Sequence, residues 1–222
     1  MAATLSVPIV EPKRKLLLDA AFHEFGERGL AGGRLDDIAK RANVAKGTIY
    51  LYFPNKEALF HEMVRTTIIA ALEQAETIVG HLEEDSAETQ LRTLTIGWWK
   101  FLRSEQFQVV QRLVLAELHN FPDLMQFYAD EVIARGRRLI STIIARGTMR
   151  GEFREIDADT AARMLSALSM MHSFWCGRRQ FFPALANTSD DEVRNEILDF
   201  YLRALRPDAP DHSPDASSRT LP

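Results

Sequence analysis

Apolar residues recur along most of this chain with the 3.6-residue period of an α-helix, and no stretch alternates apolar and polar residues as a half-buried strand does. In the last apolar stretch, for example, Val193, Ile197 and Tyr201 follow one another at four-residue steps. A chain of 222 residues, 46% of them hydrophobic, is long enough to bury a sizeable core. We therefore expect an all-α protein of about nine helices.

Residues that cap or interrupt helices indicate where each helix begins and ends. Gly26 and Gly29 should weaken and end the first helix, and residues 32–33 form a glycine loop. Asn43, which tolerates a positive φ, marks the turn after a second helix over residues 35–42. Other helices should begin at residues that open or cap helices: Pro12, Asn55, Ser86, Ser104, Pro122, Asp157 or Asp159, and Ser189, which has Glu192 at capping-box spacing.

Several features indicate a cytoplasmic protein. The single cysteine, Cys176, excludes an intramolecular disulfide and a metal site of paired thiolates. The charge-free stretch from Met164 to Gly177 has 14 residues, fewer than the 18 or so that a membrane span needs, so it predicts a buried helix. Residues 1–10 lack the basic start and long apolar run of a secretory signal.

The charge of the chain is unevenly distributed. The net charge is −4, but residues 1–55 carry +2 and the remainder carries −6. Between residues 34 and 56, two acidic residues, Asp36 and Asp37, face five basic ones: Arg34, Lys40, Arg41, Lys46 and Lys56. Such a segment is compatible with binding to phosphate, although a solvated surface is the simpler interpretation.

Residues 34–56 have the pattern of a helix-turn-helix: RLDDIAKRANVAKGTIYLYFPNK. Two short helices separated by about three residues let the second helix enter a major groove while the first braces it. Ala39 is small enough for the helices to approach closely, and Ile49 and Phe53 can anchor the second helix inward. Its remaining polar and aromatic side chains then face outward or sideways: Lys46, Thr48, Tyr50 and Tyr52.

The run from Lys13 to Met63, with AA, F and G in its first helix and then DDIAKRANVAKGTIYLYFPNKEALF, resembles the DNA-binding domain of the TetR/AcrR family of bacterial transcriptional regulators. The stretch from Val110 to Arg154, with NFPDL and GEF, resembles the C-terminal domain of the AefR-like subgroup. Together with the composition, the resemblance implies four segments: a flexible arm (1–12), a helix-turn-helix domain (13–55), a helical regulatory and dimerisation domain (56–206) and a disordered tail (207–222).

The resemblance implies roles in binding double-stranded DNA for seven residues. Lys46 and Gly47 would meet phosphate, and Thr48 and Tyr50 would approach base edges. Flanking backbone contacts would come from Tyr52 and Lys56. Either tyrosine alone could instead be an ordinary half-buried aromatic residue. Family members usually carry a Ser or Thr cap where this chain has Arg34 and Ala45, so we expect Arg34 to replace one phosphate contact electrostatically.

The resemblance also implies that the C-terminal part binds a small effector, without metal or cofactor. Aromatic residues and methionines suit a cavity for an apolar or aromatic ligand, although for each of them a place in the core is the simpler interpretation. The same alternative holds for His172, which could donate to a ligand. The candidates are Trp98, Trp99, Phe101, Phe107, Leu113, Met125, Phe127, Met164, Leu168, Met171, His172, Phe174 and Trp175.

A homodimer formed by the last two helices is implied as well, and their apolar character supports it independently. Two reading helices about 34–36 Å apart would then require a palindromic operator. Effector binding would tilt a bridging helix over residues 55–79 and release the DNA. The expected dimer residues are Val193, Ile197, Phe200, Tyr201 and Ala204.

Two other classes of function compete with a ligand-responsive repressor. An enzyme is disfavoured because the chain has no G-x-S-x-G motif and no P-loop, and its H-E-x-x-H pattern is broken by Arg65. His61 of that pattern is expected on the surface. A helical interaction module that has lost DNA binding is the other alternative, favoured by the acidic C-terminal part.

Overall fold

The computed structural model describes residues 12–207, in which the chain is all helical, as predicted. The expected flexible arm and disordered tail lie outside the described residues, except for Pro12 and Pro207. Within the described range there are nine helices: α1 (Pro12–Gly32), α2 (Leu35–Arg41), α3 (Lys46–Tyr52), α4 (Lys56–Val64, continuing through Arg65–Ile69 to Ala70–His81), α5 (Ala87–Leu102), α6 (Glu105–Glu117), α7 (Pro122–Tyr128, continuing through Ala129–Ala134 to Arg135–Met149), α8 (Ala158–Cys176) and α9 (Asp190–Leu205).

The predicted capping residues are confirmed. Asn55 accepts a hydrogen bond from the Ala58 N–H at the start of α4, and Asp157 accepts one from Thr160 at the start of α8. Ser189 forms the full capping box with Glu192 at the start of α9. Each such cap stabilises its helix by about 1 kcal/mol. The equivalent hydroxyls at the starts of α5 and α6 are those of Ser86 and Ser104.

Helix α1 does not end at Gly29, where the sequence predicted its end. It bends there, at φ 74° and ψ 173°, and continues to Gly32. The bend interrupts the helical hydrogen bonds, and the Glu117 carboxylate at the end of α6 accepts from the N–H groups of Leu30 (3.1 Å) and Ala31 (2.7 Å) instead. A distant part of the chain therefore completes α1, and local sequence could not show this.

Helices α1–α3 form a head, and α4–α9 form a body. The head has no isolated core, because Phe25 of α1, Ile49 of α3, Phe60 of α4 and Phe107 of α6 belong to one buried cluster. A second cluster, formed by α4, α5, α7, α8 and α9, fills the rest of the body. The head is thus packed onto α4 and α6, and movement of either helix bears directly on it.

The two long helices each contain a π-helical turn, Arg65–Ile69 in α4 and Ala129–Ala134 in α7. The two turns pack against each other. In the turn of α4, the Thr67 hydroxyl is buried and donates to the Met63 carbonyl. Turns of this kind accommodate one extra residue in a helix and often occur at functional positions.

Candidate nucleic-acid interface

The segment α2–turn–α3 has the predicted helix-turn-helix geometry. Asn43 adopts a positive φ of 53° at the turn, as expected. Ala39 and Ile49 are buried where α2 and α3 pack together. Neither Arg34 nor Ala45, which precede the two helices, makes a side-chain capping bond.

The outer face of α3 is open. Tyr50 is 46% exposed, Lys46 and Gly47 are exposed, and a Cβ added to Gly47 would meet no atom within 4 Å. Thr48 is half-buried beside them. Leu51, which the sequence interpretation did not include, is 85% exposed. Only its position directly after Tyr50 could have indicated that Leu51 lies on the outer face. It was missed because an apolar residue in a short helix is ordinarily assigned to the core.

The two tyrosines of α3 lie in different environments. Tyr50 extends from the outer face, whereas Tyr52 is half-buried against the head core, with its ring 6.5 Å from that of Phe53. The interpretation of a half-buried aromatic residue therefore fits the position of Tyr52 and does not fit that of Tyr50.

Asp36 of α2 connects to two side chains of this face. Its carboxylate accepts a hydrogen bond from the Lys46 ammonium (2.8 Å) and one from the Tyr50 hydroxyl (3.1 Å). The bond from Lys46 is the main cause that lowers the pKa of the Asp36 carboxyl below its usual value. The same bond raises the pKa of Lys46. The lysine is therefore charged but locally neutralised.

Two more basic residues of the head are paired with carboxylates. Arg41 forms a two-pronged contact with Glu27, at 3.0 and 2.6 Å, and Arg28 lies 3.3 Å from Asp37. In contrast, the side chains of Arg34 and Lys40 make no ion pair or hydrogen bond with any part of residues 12–207. Much of the positive charge counted in the sequence is thus already balanced inside the head.

Lys56 is separated from the other predicted DNA-binding residues. Its ammonium donates to the Ala31 carbonyl at 3.0 Å and lies 5.6 Å from the centre of the Phe121 ring. Because Ala31 also binds Glu117, Lys56 and Glu117 hold the same end of α1 from two helices of the body. The structure therefore places Lys56 in the joint between head and body, with its charge already engaged.

The predicted effector residues lie in several different environments. Trp99 belongs to the body core, whereas Phe107 and Leu113 belong to the cluster shared with the head. Met125, Met164 and Met171 are exposed, so the expectation that 164–177 is fully buried is wrong for part of α8. The remaining candidates are half-buried: Trp98, Phe101, Phe127, Leu168, His172, Phe174 and Trp175.

Two aromatic groups do form among these residues. Phe101 lies 5.1 Å from both Trp98 and Phe107, measured between ring centres. His172 packs edge-on against Trp175 at 4.9 Å, and its Nδ1 lies 2.9 Å from the Leu168 carbonyl. One ring nitrogen of His172 is thus hydrogen-bonded within its own helix.

Trp99 is the candidate with an unmet hydrogen-bonding group. Its side chain is buried, and its indole N–H has no partner in the described part of the chain. A buried donor without an acceptor costs about 1–3 kcal/mol. Trp99 is therefore the position among the candidates where an acceptor from a ligand would be most favourable.

An open groove of about 310 Å³ lies between α4 and α7, away from all the predicted effector residues. Its walls are charged, and Arg135 within it already binds Glu76 through two contacts of 2.6 Å. A charged helix face is typical of a solvated surface, so sequence reasoning had no ground to select this groove. The lining residues are Glu76, Val79, Gly80, Glu83, Arg135, Arg138, Leu139, Thr142 and Arg146.

The predicted dimer residues divide into two groups, so the expectation that all five belong to a dimer surface is corrected. Val193, Ile197 and Tyr201 are buried in the chain's own core, and the Tyr201 hydroxyl donates to the Ala161 carbonyl at 2.7 Å. They have no surface to offer a partner. Phe200, 67% exposed, and Ala204 lie on the outer side of α9.

Residues 12–207 contain neither a metal-binding cluster nor a membrane-spanning helix. No group of three or more His, Cys, Asp and Glu side chains there is arranged to hold a metal ion. No helix in that range combines the length and apolar character that crossing a bilayer requires.

His61 is half-buried against the Phe127 ring, at 4.1 Å between ring centres, instead of lying fully on the surface as expected.

Comparison with protein families gives two matches. The family described as bacterial regulatory proteins, tetR family, matches residues 17–63. The AefR-like transcriptional repressor C-terminal domain matches residues 89–207, which is more than half of the chain. Both predicted resemblances are confirmed.

Two relatives from Bacillus subtilis (strain 168) illustrate how far the similarity extends. The Fatty acid metabolism regulator protein is 28% identical over 156 residues, covering 69% of this chain and 78% of that protein. The HTH-type transcriptional regulator YhgD is 45% identical over 62 residues, covering 28% of this chain. That match spans only 32% of the length of YhgD.

Solved structures share the fold over most of the chain. NalD, the secondary repressor of the MexAB-OprM multidrug efflux pump in Pseudomonas aeruginosa, has a TM-score of 0.70 at 22% identity, covering 89% of this chain and 98% of NalD. FadR from Bacillus subtilis in complex with stearoyl-CoA has a TM-score of 0.64 at 23% identity, covering 86% and 99%. At such identities the likeness establishes the fold alone.

Proposed function

The chain belongs to the TetR family of bacterial regulatory proteins, and from this premise we propose that it is a ligand-responsive repressor that binds a palindromic operator as a homodimer. A small apolar or aromatic effector releases it from DNA. Residues 13–55 serve as the DNA-binding domain and residues 56–206 as the regulatory and dimerisation domain. The observation that carries the proposal is the open outer face of α3 in a helix-turn-helix.

Four residues of α3 contact the DNA. Gly47 lets the DNA backbone approach the start of the helix, where N–H groups favour phosphate. Thr48, Tyr50 and the exposed Leu51 meet base edges, and the leucine suits a thymine methyl group. Arg34, which has no ion pair in the described part of the chain, contributes a phosphate contact beside them.

Dimerisation uses the outer sides of α8 and α9. Met164 is 58% exposed and Met171 47% exposed on α8, and Phe200 is exposed on α9. Large apolar side chains exposed at regular helical spacing are typical of a protein interface. A two-fold axis through this surface would present two copies of α3 about one turn of DNA apart, roughly 34–36 Å.

The effector site lies among the body's aromatic residues. Trp99 supplies an unpaired N–H in an otherwise apolar core, so the ligand is apolar and carries one hydrogen-bond acceptor. The solved FadR structure holds stearoyl-CoA, a ligand with a long apolar chain. The acyl chain of that ligand supports an apolar effector class.

Release of DNA follows from movement at the joint between head and body. Helix α4 carries Lys56 and α6 carries Glu117, and both side chains bind Ala31 at the end of α1. A ligand that changes how α4 and α6 pack in the body therefore displaces α1 and, with it, α3. Reversing a population from 1:99 to 99:1 requires a preference of about 5.5 kcal/mol between the two states.

The deciding experiment selects bound duplexes from random DNA with the full chain. We expect recovery of a palindromic site with two half-sites about one helical turn apart. Recovery of no sequence would favour the interaction module over the repressor. Adding apolar compounds to the protein bound to its selected site, and following release together with thermal stabilisation, then tests the effector. Stabilising ligands that never release DNA would contradict the proposed switch.

A further inference from the structure

The carboxylate of Asp36 lies on the surface that, under the proposed function, contacts DNA. Its two oxygens bind Lys46 and Tyr50, which stand one turn apart on the outer face of α3. The side chain of Asp36 is 32% exposed and that of Lys46 is 69% exposed, so both groups can reach a third partner. A carboxylate next to phosphates is repelled by them, and it is favourable only where it meets a donor.

The neighbouring acid, Asp37, lies in a different setting. Its carboxylate is directed to Arg28 of α1, at 3.3 Å, and forms no hydrogen bond or ion pair with α3 among the described residues. Both acids occupy the first turn of α2, where negative charge stabilises a helix. Helix stability therefore accounts equally for Asp36 and Asp37, and it does not account for the contacts of Asp36 with α3.

The pair of Asp36 and Lys46 offers an acceptor beside a donor, 2.8 Å apart. In the major groove a C·G pair presents the opposite arrangement, since cytosine N4 donates while guanine O6 and N7 accept. Adenine also has a donor, N6, but the acceptor N7 lies beside it and repels a carboxylate. The chemistry of the pair therefore fits C·G better than A·T.

We propose that Asp36 is a specificity-determining residue that accepts a hydrogen bond from cytosine N4 in each half-site, while Lys46 turns to the paired guanine or an adjacent phosphate. The inference rests on the proposed function, because it requires α3 to enter the major groove. On DNA without a C·G pair at this position, Asp36 keeps Lys46 neutralised, so binding to unrelated sequence stays weak.

The test compares Asp36→Ala with Asp37→Ala in the full chain, using duplexes selected by the wild-type protein. Each variant removes one carboxylate from the first turn of α2, so effects on helix stability and net charge are matched. We expect the wild type to prefer C·G at one position per half-site by about tenfold. Asp36→Ala should reduce that preference to about twofold or less, whereas Asp37→Ala should retain it. At all other base pairs of the half-site, both variants should keep the base preferences of the wild type.

Salt dependence gives a second readout. Asp36→Ala frees Lys46, so its affinity for unrelated duplex should rise, and the slope of log affinity against log salt should steepen by about one. Adding Lys46→Ala to Asp36→Ala should abolish this change. Unchanged base preferences in Asp36→Ala, or the same loss in Asp37→Ala, would overturn the inference and leave the proposed function intact. A wild-type chain that binds no DNA sequence would overturn both.

Discussion

A Cβ placed on Gly29 would lie 2.1 Å from Oε1 of Glu117, although 88 positions separate the two residues in the chain. The backbone of Gly29 also adopts φ 74° and ψ 173°, a conformation essentially confined to glycine. Gly29→Ala should therefore lower the free energy of unfolding by about 3 kcal/mol, measured by urea denaturation. Gly97→Ala, where a Cβ meets no atom within 4 Å inside α5, serves as the control. Gly97→Ala should stabilise the protein slightly. Equal losses of unfolding free energy in both variants would contradict a specific requirement for glycine at position 29.

Removing the Glu117 carboxylate should loosen the end of α1. In Glu117→Ala the N–H groups of Leu30 and Ala31 lose their acceptor, so the variant should be less stable by about 1–3 kcal/mol. Hydrogen exchange at these two amides should accelerate relative to the rest of α1. Glu155→Ala, an exposed residue in the connection before α8, should change neither measurement. Unchanged exchange at Leu30 and Ala31 would show that Glu117 does not hold the kink in solution.

The exposed and buried parts of α9 should respond differently to substitution. Phe200→Glu places a charge on the proposed dimer surface and should give a folded monomer in sedimentation experiments. Val193→Ala creates a cavity in the chain's own core and should cost about 1–3 kcal/mol of stability while the dimer persists. A dimer that survives Phe200→Glu at micromolar concentration would place the interface elsewhere.

Phosphate contacts should show in the salt dependence of DNA binding. Arg34 has no ion pair in the described part of the chain, so Arg34→Ala should weaken binding at every sequence and flatten the salt slope by about one unit. Arg41, held by Glu27 through two contacts, is the matched control and should leave the slope unchanged. A flattened slope in both variants would mean that the Glu27 pairing breaks on DNA.

Acid should weaken the body through Asp190. Burial favours the protonated acid, but the hydrogen bonds and charges of Arg103 and Arg179 outweigh it and hold the pKa of Asp190 below its ordinary value of 3.8. A lowered folded-state pKa means that the group contributes stability above pH 3.8, and that this contribution is lost as pH falls through the folded-state value. Asp190→Asn should therefore lose less stability than the wild type in denaturation series carried below pH 4. Parallel pH profiles for the two proteins would show that the contacts of Asp190 with Arg103 and Arg179 contribute nothing to stability.

Much of the fold could be predicted because its signals are local. Capping by Asn55, Asp157 and Ser189 depends on residues three positions apart, and the positive φ of Asn43 depends on one residue. The helix-turn-helix is likewise contained in a short segment. These features require no knowledge of what packs against them.

The remaining features depend on long-range contacts. Helical periodicity shows that α9 has an apolar side, but it does not distinguish the part covered by α5 and α8, such as Val193, from the part left open, such as Phe200. The neutralisation of Lys46 by Asp36 and the engagement of Lys56 by Ala31 join residues that are 10 and 25 positions apart. The clustering of basic residues was therefore visible in the sequence, but the sequence did not show which of them are free to bind phosphate.

The internal pairing of Arg28, Arg41 and Lys46 also has a kinetic consequence. A head whose charges are largely balanced exerts little pull on DNA beyond a few ångströms, so collisions are not guided from a distance. Association should then proceed near the 10⁵–10⁶ M⁻¹s⁻¹ typical of unsteered encounters and vary little with ionic strength. Under that regime the number of molecules in the cell, more than the speed of their search, decides how quickly a vacated promoter is covered again.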